Sequence, residues 1–292
     1  MTTDQAAPAA VPEHDNDADF VLLFDLIAQM VEAPRGSAIP PGQGWLNDRQ
    51  TLAKKFVYHL STILSVRGGS TLVFDGAVHE FTDHGSLTVL VRAVLENFVV
   101  FAYVFGSKDL EECRFRHLCW HFGGMMDRQK RLSITPAGRN TQAVEKLQAD
   151  SLLESIKVHP AFKLLSNGRQ KAIVKGKWDG GQQWHELAVE VGLNEAYFRT
   201  IYSYLCDYSH SSYAAALQVG QADTEAQDQM SKSMLGVMNL CMAKFAVIHA
   251  ACFASSRKLL EESPARAAVT KWDIDSARFE QIYSSNRQDA IL

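Results

Sequence analysis

The run from Leu87 to Phe105 is apolar almost all round a helix, and a second such run, Met234 to Ala254, lies far downstream. A helix that is apolar on every side has to be wrapped either by other helices or by lipid. Arg92, Glu96 and Asn97 stand in the middle of the first run, and Asn239, Lys244 and His249 interrupt the second. A charge at the centre of a bilayer costs roughly 2.5 to 3.5 kcal/mol on insertion scales. Both runs therefore read as central helices of a protein bundle, with no membrane partner.

Enough amphipathic sequence surrounds them to do the wrapping. Phe20 to Val31 carries Leu23, Leu26, Ile27 and Met30 at helical spacing, with Asp17 or Asp19 to cap it. After a loop from Pro34 to Trp45, Asn47 caps a helix that ends near Arg67 at Gly68-Gly69. Leu72-Val73-Phe74, Asp75-Gly76 and Ala77-Val78 spell a hairpin with a type I′ turn, which is expected to lean on helices because a lone ribbon is marginal. Further helices are predicted over about Gly85 to Phe105, from a Ser107 cap to Arg131, and over Thr141 to Lys157, Gln183 to Val191, Glu195 to His210, Thr224 to Glu262 and Ile274 to Tyr283. The segment Phe162 to Gly181 is basic and broken by glycine. The fold class is all-α, a multi-helix bundle with a small β-hairpin insert. Residues 1–19, with five acids and no Lys or Arg, read as a disordered acidic tail, and 20–292 as a single α-helical bundle domain. A net charge of −4 supplies no global field for polyanions, so any nucleic-acid contact needs a local patch. Five irregularly spaced cysteines without a leader segment suit a reduced cytoplasmic protein.

Three clusters bear on function. Arg92 and Glu96, four apart inside the most apolar helix, share a face and can pair; a buried pair of this kind is rarely kept for stability alone. If it is buried, Glu96→Ala should cost roughly 3 to 5 kcal/mol. Tyr202, Cys206 and His210 also lie four apart and put a phenol, a thiol and an imidazole on one helix face, the kind of groups that acid–base chemistry uses. Together Arg92, Glu96, Tyr202 and His210 are the expected polar pocket, whether for catalysis or for binding. Lys163, Arg169, Lys171, Lys175 and Lys177 form a basic run without an acid, followed by Trp178 and Trp184, and are the candidate nucleic-acid contacts. Cys113, His117, Cys119 and His121 crowd one helix, but a structural zinc site wants a fourth ligand from elsewhere and none is evident, so no metal is expected. Glu186 to Ile201 has helix-turn-helix spacing, yet its second helix carries too few cations for DNA. No Walker loop, Rossmann fingerprint, His-Glu-x-x-His or nucleophile elbow is present, and no cofactor is expected.

Ser86-x-x-x-Leu90-x-Arg92-x-x-x-Glu96, Trp178-Asp179-Gly180-Gly181 and Tyr202-x-x-Leu205-Cys206-x-x-x-His210-Ser211 together resemble the signatures of an uncharacterised family of bacterial all-helical proteins, over about Ser86 to Ser212. Cys206 stands where that pattern usually has serine. The resemblance implies a helical fold and the same candidate pocket. It extends by analogy to HEPN domains, many of which are metal-independent ribonucleases of defence systems. Arg116 to His121 fits the HEPN hallmark, but chance supplies such matches in a chain with this many Arg and His residues. Two readings follow. One is an accessory of a stress or phage-defence system acting as a HEPN-like ribonuclease, in which His210 would be the general acid or base and Arg92 would stabilise phosphate charge. The other is a non-catalytic protein-interaction or RNA-binding module whose polar cluster is structural. The partners implied are RNA or a protein of the same locus, with a homo-oligomer allowed.

Overall fold

Asp15 opens the first helix. Its carboxylate accepts the backbone N–H groups of Asp17 and Ala18, and α1 then runs Asn16–Glu32 in the computed structural model, which describes residues 15–281. Of the expected acidic tail 1–19, residues 1–14 lie outside the described residues, while Asp17 and Asp19 are fastened into the fold. Asp17 pairs with Arg67, and Asp19 accepts Nζ of Lys271 at 2.6 Å and the indole N–H of Trp272 at 2.8 Å. Phe20, Leu23, Ile27 and Met30 recur three and four residues apart and are fully buried, which makes one side of α1 a core face.

α2 (Asn47–Val66) follows a 3-10 turn at Gly44–Leu46, and α3 (His84–Phe105) starts behind an Asp83 cap. Next come α4 (Leu110–Gln129), α5 (Pro136–Val158), α6 (Pro160–Leu164), α7 (Asn167–Val174), α8 (Trp184–Glu190), α9 (Glu195–Ser209) and α10 (Tyr213–Gln221). The chain continues with α11 (Thr224–Cys252), α12 (Ala254–Glu262) and α13 (Arg266–Trp272), and residues 276–281 are helical too, within the expected last helix. α3 and α11 pack on each other at the centre, with α1 on α11 and α2 on α3. Both central helices are long and apolar enough to cross a membrane, and 67% and 72% of their apolar windows are buried inside this fold. Some of the polar residues that interrupt them have partners, since Lys244 meets Asp273 at 3.2 Å and the Asn239 amide donates to the Asn16 carbonyl at 3.0 Å, whereas among the described residues the Asn97 side chain and both His249 ring nitrogens have none.

α4, α5, α6 and α7 build a second, smaller core of Phe115, Phe122, Ala149, Ile156, Phe162 and Ile173 beside the main one. Other departures are local. The expected helix Thr224 to Glu262 breaks at Phe253, whose extended backbone (φ −135°, ψ 122°) separates α11 from α12; a single extended residue barely disturbs the apolar pattern. Asp109 rather than Ser107 caps α4, because the Ser107 hydroxyl donates to Glu112 at 2.5 Å instead. α10 was not expected, although Ser212 caps it by accepting the Ala215 N–H.

β1 (Ser70–Phe74) and β2 (Ala77–Phe81) pair antiparallel, Phe74 opposite Ala77, and Asp75 (φ 49°) with Gly76 (φ 75°) makes the tight turn that an Asp-Gly pair predicts. The ribbon does not lean on helices as expected. Every residue of both strands is exposed, and Val73 and Phe74 each keep 68% of their surface. At about 3.4 Å per residue, five-residue strands carry the turn some 17 Å from the helix ends, beyond reach of a covering side chain.

Candidate functional site

α9 packs on α3 and brings three of the four expected pocket residues together. Arg92 Nε donates to Glu96 Oε1 at 2.9 Å, the Tyr202 hydroxyl donates to the same oxygen at 2.8 Å, and a guanidinium N–H of Arg92 reaches the phenol oxygen at 3.4 Å. Arg92 also lies 5.4 Å from the centre of the Tyr202 ring, which stacks on Phe198. The pair is not buried as the sequence suggested: the Arg92 and Glu96 side chains keep 23% and 30% of their surface. Burial, and then the bond to Glu96, push the Tyr202 phenol well above its usual range, so at neutral pH it is a donor and not a base. Burial alone would weaken the Arg92 charge, but the hydrogen bonds it donates to Tyr202 and Glu96 outweigh this and raise its pKa. Each group satisfies its neighbours.

His210 stands apart. It is the C-cap of α9, exposed, with its backbone N–H bonded to the Cys206 and Tyr208 carbonyls. Among the described residues no hydrogen bond joins its ring to Arg92, Glu96 or Tyr202, so the expected four-residue pocket resolves into a triad and a separate surface histidine. The histidine that does meet α9 is one the sequence reading missed. His84, in the first turn of α3, places Nε2 3.1 Å from the Tyr208 hydroxyl, which itself donates to Gln218 Oε1 at 2.9 Å. With the phenol proton used on Gln218, His84 Nε2 is the donor. Burial lowers the His84 pKa, consistent with a neutral ring. The cue was a histidine directly behind the Asp83 cap, where a helix start turns toward the core.

The basic segment falls on α6, α7 and the loop to Trp178. Lys163, Lys171, Lys175 and Lys177 are exposed, and among the described residues none forms an ion pair. Arg169 leaves this array: its guanidinium bonds Gln182 and, among the described residues, its buried Nε has no hydrogen-bond partner. The inward path is open because position 180 is glycine (φ 68°), where a Cβ would meet Arg169 Nε at 3.0 Å. Arg169 thus lines a cavity of about 220 Å³ with Tyr103, Arg116, Cys119, Trp178 and Glu190. Arg116, the arginine of the HEPN-like match, holds that cavity together by donating to the Tyr103 carbonyl at 2.8 Å, to Glu112 at 2.5 Å and to Glu190.

His117, one of the crowded Cys/His group, bonds Asp48 at 2.8 Å and so ties α4 to α2, while burial pushes the Cys113 thiol up to about 11 and Cys119 up to about 12. Among the described residues, no three His, Cys, Asp or Glu side chains are placed to share a metal ion. The helix-turn-helix pattern is α8 and α9, and α9 presses Phe198 and Leu205 into the main core.

No curated protein and no solved structure matches the chain. A family model, described as a family of unknown function (DUF5677), matches residues 58–228, which span the Arg92–Glu96–Tyr202 triad, His210 and the lysine array. That segment is more than half of the chain and contains the whole of the stretch Ser86 to Ser212 with its paired signatures, and the chain belongs to the DUF5677 family.

Proposed function

We propose that this chain is a non-catalytic RNA-binding module of the cytoplasm, serving a stress or defence system, in which the Arg92–Glu96–Tyr202 triad fastens α3 to α9. The observation that carries this reading is the array of Lys163, Lys171, Lys175 and Lys177, exposed and without ion pairs among the described residues, on a stretch from His159 to Trp178 that holds no acid. Cations kept free of carboxylates are available to phosphates, and contacts of this kind carry affinity without sequence preference. The triad supports the same reading: a raised phenol, a paired guanidinium and a carboxylate with two donors are engaged with one another, and none of the three is a free base.

Fluorescence anisotropy with a single-stranded RNA at several salt concentrations tests the proposal. The parent should bind at low salt, and Lys171→Ala, Lys175→Ala and Lys177→Ala combined should weaken binding equally for unrelated sequences. The salt slope should flatten by about 2, since each phosphate contact on a single strand contributes about 0.7. No binding by the parent, or an unchanged triple variant, overturns the proposal. RNA cleavage lost in His210→Ala would restore the ribonuclease reading.

A further inference from the structure

The loop between α1 and α2, residues 34–46, closes over a cavity of about 280 Å³ that the RNA reading does not use and that lies outside the family-matched segment. Its wall is one-signed: Arg35, Arg49 and Lys54 line it and, among the described residues, no Asp or Glu does. Arg35 is engaged with Glu32 at 2.7 Å, but among the described residues neither Arg49 nor Lys54 forms an ion pair. Arg49 is held in place from one side. Its guanidinium lies 4.1 Å from the centre of the Phe253 ring and beside the Cys252 thiol, and among the described residues its buried Nε has no hydrogen-bond partner. Phe253 is the extended residue that breaks α11 from α12, so the break itself presents the aromatic face under Arg49.

Gln50 adds a second unfilled group. Its amide N–H donates to the Val31 carbonyl, which fixes the amide's orientation and leaves Oε1 buried without a partner among the described residues. The remaining lining is apolar, chiefly Ile39, Pro40, Leu46 and Phe253. A buried donor on a cation and a buried acceptor, each without a partner, are costly unless something answers them. We propose that this cavity binds a small organic carboxylate with an apolar body. The carboxylate lies against Arg49 and Lys54, and the apolar part lies on Ile39 and Phe253. A hydroxyl next to the carboxylate donates to Gln50 Oε1. The volume sits at the lower end of ligand pockets, which limits the ligand to roughly a dozen heavy atoms.

Three probes differing by one group test this: 3-phenylpropionate, 3-phenyllactate, which adds the hydroxyl, and 3-phenylpropanol, which lacks the carboxylate. Binding is read by ligand-observed NMR and by the rise in melting temperature with ligand concentration on the full chain, up to about 10 mM, enough to saturate a Kd of order 1 mM. The two acids should bind saturably, the lactate the tighter, and the alcohol at least about tenfold weaker. Arg49→Met should abolish binding of the acids, and Lys54→Met, at an exposed position that the fold does not need, should weaken it several-fold. Equal binding of acid and alcohol, no saturable binding of either acid, or unchanged binding by Lys54→Met overturns the proposal. The RNA titration is read on other residues, so either proposal can fail alone.

Discussion

Glu96 takes hydrogen bonds from both Arg92 and Tyr202, so its loss strands a guanidinium and a phenol that keep only part of their hydration. Because the pair is a quarter to a third exposed, water screens and rescues the survivors, and the loss is smaller than full burial would give. Glu96→Ala should lower the unfolding free energy by about 1 to 2 kcal/mol in urea, and Glu96→Gln by less. A loss above about 4 kcal/mol would mean a sealed pair after all. His249 makes the opposite case. It is fully buried between Phe101, Phe245 and Phe253, neither ring nitrogen has a partner among the described residues, and burial, with the Arg49 charge, lowers its pKa to about 3. Between about pH 6.5 and 3 the unfolded chain binds a proton there that the folded chain refuses. Stability must therefore fall on acidification, by about 1.4 kcal/mol per pH unit from this residue. His249→Leu should flatten that acid slope in urea melts at pH 7, 5.5 and 4.5; an unchanged slope would show that His249 takes up its proton in the fold. Arg92, Glu96 and Tyr202 were legible as a group because charges inside an apolar helix must find a partner. His210 was not, because it stands at a helix end, where four-residue spacing no longer fixes direction. Arg169 was misplaced for want of one long-range fact, the room that Gly180 leaves.

Among the elements, the hairpin was read correctly in its turn and wrongly in its setting. Asp75-Gly76 determines a tight turn by local backbone preference alone, whereas Leu72, Phe74 and Phe81 look like a face to be buried and nothing local says whether a neighbour exists. Since the ribbon buries no side chain, replacing residues 71–80 by a short Gly-Ser connection should leave the unfolding free energy from urea melts unchanged within about 1 kcal/mol; a larger loss would show a covering contact. The long helices α1, α2, α3 and α11 were legible because their apolar spacing persists over many turns. Boundaries set by competition between neighbouring caps, Ser107 against Asp109, were not, since the outcome rests on which carboxylate or hydroxyl finds another partner first.

At the scale of the whole molecule, the family-matched segment 58–228 omits α1, the first half of α2 and nearly all of α11, yet α3 inside it buries its largest apolar face against α2 and α11. Produced alone, residues 58–228 should be insoluble or lack dispersed amide resonances, while the full chain melts cooperatively; a well-folded fragment would show that α4 to α9 organise α3 unaided. The bundle and its central pair were visible from sequence. The division into two cores was not, because α4 serves both and its pattern is the sum of two faces. The pairing of α1 with α11 also sets a condition on synthesis. The stripe Phe20, Leu23, Ile27 and Met30 leaves the ribosome some 200 residues before α11, and at about 5 to 20 residues per second that is a wait of roughly 10 to 40 s. During that interval the nascent chain shows an uncovered greasy strip near its leading end, which makes it a natural client for chaperones that hold emerging chains.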